Sequence, residues 1–469
     1  MPISRSLTNL IIAFVLFFQT TIPFIFENSS SQFQIFQKIL FSLYFFILSS
    51  KITNKYNDAL SIISFLTEFW VALNFFFDFI LFRIFSTIFL VIYLYSIHLF
   101  KSTELPETKG PYQVGYRDFY LNKGEKLIPT AIFYPTTEKT IDIPWLTENE
   151  YISTLVDVSF HMKFGFILNL TIKTAFSFIG SIMLRVNINS KIIKAEKYPV
   201  IIFSHGLGGN RHAYSVFVKE LASQGNIVFC TEHKEKIIIV ENVKSIEEVA
   251  DEIKSIRWVQ LKERRDIISL CLDCIYDNKK IDKIFEEKIN LDYNKLTIMG
   301  HSFGGITAIY SCFKENERIR GGAIVLDPYV FPLSDEYLEK KWKLPFVSIS
   351  TETFNKAISY GHNNIKLAKL FDNNENKNQG MNLNYLTSSH LHQCDFVYFF
   401  PNAMKFLGFI SKDGNPHEII VFIQKLIEYF HKDVIYGEKD STAVLDKINN
   451  LEYNGEKIGR KRIVQNERE

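Results

Sequence analysis

Long apolar segments dominate the first hundred residues of the chain, and few charges separate them. Ser6–Phe26 carries no charged residue and is long enough to cross the hydrocarbon core of a bilayer as a helix. Three further apolar segments follow it, namely Ile35–Ser50, Ala59–Phe82 and Ile84–Phe100. The pattern predicts a membrane region over residues 1–101 with three to four transmembrane helices, and therefore a multi-pass membrane protein.

The two middle segments carry charges, which makes their assignment weaker. Lys38 interrupts the first of them, and Glu68 and Asp78 interrupt the second. A charge inside a bilayer is costly unless it faces other helices. Two alternatives stay open: a cleaved signal peptide, which explains only the first segment, and a buried helical domain of a soluble protein.

Beyond a polar linker at residues 101–109, short apolar runs alternate with helix-like stretches. Alternation of this kind predicts an α/β domain, with a mostly parallel sheet covered by helices on both faces. We assign it to residues 102–449 and expect the charged tail at 450–469 to fray. The predicted strands are Thr130–Tyr134, Pro199–Phe203, Ile227–Thr231, Lys295–Met299, Ala323–Leu326 and Pro345–Ser350, and the predicted helices are Tyr214–Gln224, Ser245–Asn278 and Phe303–Lys314.

One apolar stretch, residues 151–186, does not fit the alternation. It is too broken by polar residues to predict a membrane span with any clarity. Two interpretations have equal weight: a helical insert that packs into the core, or an amphipathic surface that lies on a bilayer.

Charge and cysteine content exclude several classes of protein. The net charge is +2 and the isoelectric point is near 8.0, so we expect no nucleic-acid partner. The five cysteines are scattered and form no disulfide framework. Cys271 and Cys274 are spaced as in a metal-binding pair, but no second pair accompanies them, and we interpret them as small buried side chains.

The residues 296–305 provide the strongest chemical signal in the sequence. They read as an apolar strand that runs into a G-x-S-x-G motif and then into a helix. Gly300 and Gly304 lack a Cβ and let the strand and the helix approach closely. This arrangement predicts a nucleophile elbow, with Ser302 at the tip of the turn and the N–H groups of the helix start aimed at the reacting atom.

A serine nucleophile needs a base, and the base needs an orienting acid. Asp327 follows the strand Ala323–Leu326 and is the candidate acid, because the carboxyl ends of neighbouring parallel strands face one crevice. The base follows the acid in this chain order, and a polar loop holds His390 and His392. Spacing alone does not separate these two histidines. We interpret His362, His417 and His431 as ordinary surface or helix histidines, and His205 and His301 as structural.

An oxyanion hole needs backbone N–H groups aimed at the tetrahedral intermediate. The residue after the nucleophile, Phe303, supplies one of them. A glycine-rich turn at residues 204–209, after the strand at 199–203, is the candidate source of the other. Oxyanion stabilisation by the backbone needs no metal ion, so we expect no metal and no cofactor.

Several motifs in order resemble the platelet-activating factor acetylhydrolase family, the plasma and type II intracellular enzymes, across residues 110 to about 437. The resemblance implies the α/β-hydrolase fold, and the family pattern H-x-x-x-x-D-F selects His390, because Asp395 and Phe396 stand at that spacing. It also implies that Leu207 and Phe303 supply the oxyanion N–H groups, and that residues 151–186 form a lipid-facing surface. The matching segments are GPYQVG at 110–115, FYP at 133–135, FSHGLG at 203–208, YS at 214–215, LASQG at 221–225, EH at 232–233, GHSFGG at 300–305 and LDPYVFPL at 326–333.

The resemblance implies calcium-independent hydrolysis of the sn-2 ester of phospholipids with short or oxidised acyl chains, the 1-alkyl-2-acetylglycerophosphocholine esterase type of activity. The expected partners are the phospholipid substrate and the bilayer. Two alternatives are retained: a general carboxylesterase or transacylase with the same triad, and a lipid-binding membrane protein without catalytic activity.

Overall fold

The computed structural model describes most of the chain beyond the apolar N-terminal region. Its described residues are 105–139, 141–145, 182–233, 246–356, 361–399, 401–406, 408–410, 414–453, 456–458 and 463–465. The predicted membrane helices, with the rest of residues 1–101, lie outside this range, and so does residues 151–181 of the predicted insert. No helix formed by the described residues is both long and apolar enough to span a bilayer.

The chain divides into two compact units. One comprises Met1–Ser102 and Pro144–Met183, and the other comprises Thr103–Ile143 and Leu184–Glu469. The second unit carries every candidate site residue and is the α/β domain.

The strands and helices follow one another in the predicted alternation. The strands are β1 (Gln113–Lys123), β2 (Lys126–Thr136), β3 (Ile141–Pro144), β4 (Met183–Ile188), β5 (Val200–Ser204), β6 (Ile227–Thr231), β7 (Thr297–His301), β8 (Gly322–Leu326), β9 (Phe346–Thr351), β10 (Gly380–Tyr385), β11 (Glu452–Tyr453), β12 (Glu456–Lys457) and β13 (Ile463–Gln465). The α-helices are α1 (Ser215–Ser223), α2 (Ile246–Ile275), α3 (Asn278–Phe285), α4 (Phe303–Lys314), α5 (Asp335–Leu338), α6 (Glu352–Lys356), α7 (Gly361–Asp372), α8 (Phe396–Phe399), α9 (Pro401–Phe406), α10 (Pro416–Tyr429) and α11 (Thr442–Asn449). Short 3₁₀ turns cover Tyr293–Lys295, Lys377–Gln379 and His390–Gln393, and a π-helical turn covers Phe430–Tyr436.

One large sheet organises the α/β domain. Within the described residues its order is β13-β10-β9-β8-β7-β5-β6-β2-β1-β4-β3. The central strands β6, β5, β7, β8, β9 and β10 are parallel, whereas β2 joins β6 antiparallel and β13 joins β10 antiparallel. The predicted mostly parallel sheet with flanking helices is therefore confirmed. Each of the six predicted strands corresponds to one of β2, β5, β6, β7, β8 and β9.

Both faces of the central strands are buried, since β5, β6, β7 and β8 are buried at every position. Successive residues of a strand point to opposite sides of the sheet. Val200 and Ile202 of β5 point into a core that also contains Ile268 of α2 and Ile306 of α4. Phe203 points to the other face, where its ring lies 4.9 Å from the ring of Tyr214, the residue before α1. Strands buried on both faces read as continuous apolar runs, which is why the sequence predicted them well.

Two predictions at the edges of the domain require correction. The tail after Asn449 was expected to fray, but β13 pairs with β10 through Leu383 and Gln465 among others, and β11 pairs with β12. The predicted insert at 151–186 extends too far, because residues 183–186 belong to β4. In both places the hydrogen bonds to a neighbouring strand override a polar or irregular local sequence.

Candidate active site

Ser302 occupies the turn between β7 and α4, and its backbone adopts a conformation that is rare for a side-chain-bearing residue, with φ 56° and ψ −119°. The two glycines of the motif allow this turn. A Cβ at Gly300 would lie 2.1 Å from the Gly304 carbonyl oxygen, and a Cβ at Gly304 would lie 2.0 Å from the Ser204 carbonyl oxygen. The Ser302 N–H donates to the carbonyl of Leu326 at 2.8 Å. The tight strand–turn–helix geometry predicted around Ser302 is therefore present.

Asp327 follows β8, is fully buried, and also has a positive φ, 41°. Its carboxylate accepts hydrogen bonds from the backbone N–H and the Oγ1 hydroxyl of Thr351, both at 2.6 Å. The third contact joins Oδ2 to Nδ1 of His390 at 2.9 Å. Because a carboxylate accepts and an N–H donates, Nδ1 carries the proton and Nε2 of a neutral His390 keeps its lone pair.

The structure distinguishes the two histidines that spacing could not separate. Nδ1 of His392 accepts the backbone N–H of Ser389 at 2.8 Å, and the ring is fully buried. Burial lowers the pKa of His392 to about 4. His392 therefore stabilises the loop, whereas the side chain of His390 is 31 % exposed and contacts Asp327.

Two rings fix the plane of the His390 imidazole. Phe354 stacks on it with a centroid distance of 4.8 Å and an interplanar angle of 12°, and the His301 ring lies 4.4 Å away. Burial, followed by the charge of nearby His390, holds the pKa of His301 well below its usual value. A neutral His301 adds no second positive charge beside His390.

The glycine-rich loop after β5 lies beside Ser302. A Cβ built on Gly206 would lie 3.4 Å from the Cβ of Ser302. The N–H of Gly206 donates to the Tyr214 hydroxyl at 3.0 Å, and that hydroxyl contacts Nδ1 of His301 at 2.8 Å. Leu207, the next residue, therefore stands at the edge of the site. Phe303 begins α4, and the first N–H groups of a helix have no partner within it.

Asp395 ties the loop that carries His390 to the start of α1. Its fully buried carboxylate accepts from the backbone N–H of Ser215 at 2.8 Å and of Val216 at 3.0 Å, and the Ser215 hydroxyl also donates to it. Its own N–H donates to the carbonyl of Ala213 at 2.9 Å. The aspartate five residues after His390 is therefore a helix cap supplied from a distant part of the chain.

The cluster His301, Asp327 and His390 is also the one group among the described residues whose side-chain types and spacing could hold a metal ion. Its potential ligand atoms all lie within 4.8 Å of one another. Asp327 and His390 are already hydrogen-bonded to each other in this arrangement. This hydrogen bond joins the candidate acid to the candidate base.

The predicted structural roles of two other groups are confirmed. The five cysteines are free and buried, and burial raises the pKa of Cys274 to about 11. His205 contacts the Gly206 carbonyl at 2.7 Å through Nδ1 and Glu232 at 3.0 Å through Nε2.

Comparison with known proteins places the chain in a family. The sequence model described as "Platelet-activating factor acetylhydrolase, isoform II" matches residues 97–440, which is most of the chain. The chain belongs to the platelet-activating factor acetylhydrolase family.

Curated relatives agree with this assignment. A platelet-activating factor acetylhydrolase of Cavia porcellus is 30 % identical over 292 residues, 55 % of this chain and 63 % of the relative. That of Bos taurus is 31 % identical over 300 residues, 57 % of this chain and 64 % of the relative. The chain therefore spans less than two thirds of the length of these two relatives. A putative phospholipase A2 of Schizosaccharomyces pombe is 26 % identical over 151 residues, 24 % of this chain and 34 % of that protein.

Among solved structures, a ferulic acid esterase from Streptomyces cinnamoneus superposes with a TM-score of 0.53. The two proteins are 12 % identical, and the match covers 73 % of this chain and 95 % of that one. This similarity concerns the fold alone. It supports an α/β-hydrolase architecture for this member of the platelet-activating factor acetylhydrolase family.

Sequence reasoning missed several residues that contact the predicted site. Thr351, Phe354 and Tyr214 each hold a site residue in place, and none of them stands in the elbow motif. A signal existed for Thr351, because it is the first residue after the predicted strand Pro345–Ser350, at the same sheet edge as Asp327. Tyr214 stands in the family motif YS at 214–215, but nothing in the sequence indicated its hydrogen bonds to Gly206 and His301, and Phe354 gave no signal.

Proposed function

We propose that this family member is a carboxylic ester hydrolase that uses Ser302, His390 and Asp327 as a catalytic triad. The observation that carries the proposal is the hydrogen bond of 2.9 Å between Asp327 and Nδ1 of His390, at the same sheet edge as the strained Ser302 turn. Nδ1 donates to the carboxylate, so the lone pair of Nε2 is available for a proton.

The reaction proceeds in two halves. His390 takes the proton of the Ser302 hydroxyl as the oxygen attacks the ester carbonyl, and it then protonates the leaving alcohol oxygen. A water molecule, deprotonated by His390, then attacks the acyl-enzyme, and His390 returns that proton to the Ser302 oxygen as the acid leaves. Asp327 stabilises the imidazolium that forms in both halves.

The negative charge of each tetrahedral intermediate is held by the backbone N–H groups of Leu207 and Phe303. The position of the Gly206–Leu207 loop beside Ser302 supports this assignment, as does the location of Phe303 at the first turn of α4. Preorganised N–H groups of this kind supply the largest single part of the rate enhancement in many acyl-transfer enzymes.

The substrate class that we propose is a phospholipid with a short or oxidised sn-2 acyl chain. Family membership and the names of the curated relatives support it. The apolar segments of residues 1–101 support a second part of the proposal, that this region anchors the protein in a bilayer as a multi-pass membrane segment. Residues 102–449 are then the catalytic domain, with an interfacial insert within 151–186.

Hydrolysis of a phosphatidylcholine panel with graded sn-2 chains, without calcium, tests the function. We expect release of short and oxidised chains, little release of long chains, and loss of activity in Ser302→Ala. The matched control is Ser311→Ala on the same helix, because the buried Ser311 hydroxyl has no hydrogen-bond partner in the described part of the chain.

Other outcomes favour the alternative functions. Activity on long chains alone keeps the triad and rejects the substrate class. Acyl transfer to an alcohol in preference to water indicates a transacylase, and activity on simple esters alone indicates a general carboxylesterase. Folded protein that neither hydrolyses any ester nor reacts with a fluorophosphonate supports a lipid-binding protein without catalytic activity.

Membrane anchoring is tested separately by alkaline carbonate extraction of membranes from cells that express the full chain. An integral protein remains in the membrane pellet, whereas release into the supernatant would reject transmembrane helices.

A further inference from the structure

One buried guanidinium contacts both parts of the proposed oxyanion hole, the Gly206 loop and the Phe303 side chain. Arg264 lies on α2 and is 1 % exposed. It donates through Nη1 to the carbonyl of His205 and through Nη2 to the carbonyl of Gly206 at 3.3 Å. Its central carbon also lies 4.7 Å from the centre of the Phe303 ring, in a cation–π contact.

The Gly206 carbonyl belongs to the same peptide group as the N–H of Leu207. A peptide group is planar and trans, so fixing its carbonyl also fixes the direction of its N–H. Three donors hold this one oxygen: Nη2 of Arg264, the N–H of Gly209 at 3.0 Å, and Nδ1 of His205 at 2.7 Å. The direction of the Leu207 N–H is therefore set by the groups behind the loop.

Hydrogen bonds to a carbonyl also polarise the N–H at the other end of the peptide. A donor with a full positive charge does so more strongly than a neutral one. Arg264 is such a donor. It is buried away from water, so its electric field is only weakly screened.

The second half of the proposed hole is held by the same side chain. The Phe303 ring is 1 % exposed and lies against the guanidinium, while the Phe303 backbone begins α4 directly after Ser302. A cation–π contact resists rotation of the ring away from Arg264, and the ring is attached to the backbone whose N–H we assign to the hole.

We propose that Arg264 is a positioning residue for the oxyanion hole, acting through the Gly206–Leu207 peptide and the Phe303 ring. The proposal rests on the proposed ester hydrolysis. Arg264 does not touch the substrate. It holds both N–H donors where the tetrahedral oxyanion forms and strengthens the one on Leu207, so its effect is on the transition state and not on the bound ester.

The test compares Arg264→Gln and Arg264→Lys with Arg265→Gln in the full-length protein. Arg265 is the next residue of α2, and its side chain is 29 % exposed. Arg265→Gln removes the same charge as Arg264→Gln. Fluorophosphonate labelling to completion counts the competent serines, so that kcat is expressed per active site. Two ligands are titrated on each variant: a trifluoromethyl ketone lipid, which binds as a tetrahedral oxyanion, and an ether lipid that lacks the ester carbonyl.

We expect Arg264→Gln to lower kcat about 10- to 100-fold with little change in KM, somewhat less than the loss of a direct oxyanion donor. Affinity for the trifluoromethyl ketone should fall by the same factor as kcat/KM, and affinity for the ether lipid should be unchanged. Arg264→Lys retains the charge but not the two-pronged contact, so it should fall between wild type and Arg264→Gln. Arg265→Gln should match the wild type.

A purely structural role gives a different result. If the Arg264 variants show a lower count of labelled serines or a lower melting temperature, but wild-type kcat per labelled serine and wild-type affinity for the ketone, the proposal is wrong. Arg264→Lys retains the buried charge, and a folded Arg264→Lys with wild-type kinetics would also reject it. A wild type that neither labels nor hydrolyses any ester would overturn the proposed function itself, and this proposal with it.

Discussion

Removal of the Asp395 carboxylate tests how the loop of His390 is held. The carboxylate is fully buried and accepts the first backbone N–H groups of α1, from Ser215 at 2.8 Å and Val216 at 3.0 Å. Asp395→Ala leaves these two donors and the Ser215 hydroxyl buried without this partner. Asp395→Asn retains one amide oxygen, which can accept one of the two N–H groups, while its NH₂ group faces the other.

The expected cost follows from the number of bonds lost. A hydrogen bond to a charged group contributes about 1.5–3 kcal/mol. Loss of one such bond in Asp395→Asn should lower the free energy of unfolding by about 2 kcal/mol, and loss of all three, the Ser215 hydroxyl included, in Asp395→Ala by about 6 kcal/mol. The loop should also loosen, because the carboxylate is its tie to α1, and we expect kcat to fall about tenfold in Asp395→Ala as His390 loses its alignment.

Thermal unfolding of the full-length variants, in one common lipid or detergent preparation, measures the first effect. Ester hydrolysis per fluorophosphonate-labelled serine measures the second. Asp335→Asn, an exposed aspartate at the start of α5, makes the same change of charge and should leave both quantities unchanged. Equal melting temperatures for all variants would refute the capping role. A lower melting temperature with wild-type kcat would retain the cap but refute the link to His390.

Three further predictions concern the acid, the elbow and the effect of pH on stability. Thr351→Val removes the hydroxyl donor to Asp327 and leaves the backbone N–H donor. We expect kcat to fall about tenfold with KM unchanged, which steady-state ester hydrolysis would measure. Gly304→Ala places a Cβ 2.0 Å from the Ser204 carbonyl oxygen, so fluorophosphonate labelling of Ser302 should be lost, and wild-type labelling would contradict the elbow geometry. Burial lowers the pKa of His431 to about 4. The unfolded chain then binds more protons, and stability is lost as pH falls from about 6.5 to 4, by up to about 3 kcal/mol from this residue. His431→Leu should flatten that slope in urea titrations, and an unchanged slope would refute the assignment.

The elbow was predictable because its requirements are local. The glycines, the serine, the apolar strand and the helix all lie within residues 296–314, and each is visible in the printed sequence. The acid was predictable for a related reason, since Asp327 ends the strand next to the elbow, and β7 and β8 are paired in register.

The contacts that hold these residues in place were not predictable, because the two partners of each contact are far apart in sequence. Thr351 reaches Asp327 across 24 positions, Arg264 reaches Gly206 across 58, and Asp395 reaches Ser215 across 180. Only the folded sheet brings them together. The family pattern H-x-x-x-x-D-F marked Asp395 in the sequence. The structure supplies the physical reason, because the Asp395 carboxylate caps the start of α1.

Strand β10 shows a different limit of sequence reasoning. Gly380–Tyr385 contains two asparagines, which are unfavourable in strands, so the run gives no strand signal. It nevertheless pairs with β9 along its whole length and with β13 on its other side. Pairing on both sides outweighs the low propensity, and β10 leads into the loop that carries His390.

The strained backbone at the site explains why so many distant contacts converge there. Positive φ values at Ser302 and Asp327 each cost about 1–3 kcal/mol and persist only where the surroundings determine them. The surroundings do so here: the Ser302 N–H bonds to the carbonyl of Leu326, and the carboxylate of Asp327 bonds twice to Thr351. The same bonds tie β7 to β8 and β8 to β9, in the order in which nucleophile and acid appear. The hydrogen bonds that impose the strain are therefore the ones that align the proposed triad, and a variant that relaxes either turn should lose catalytic rate before it loses the fold.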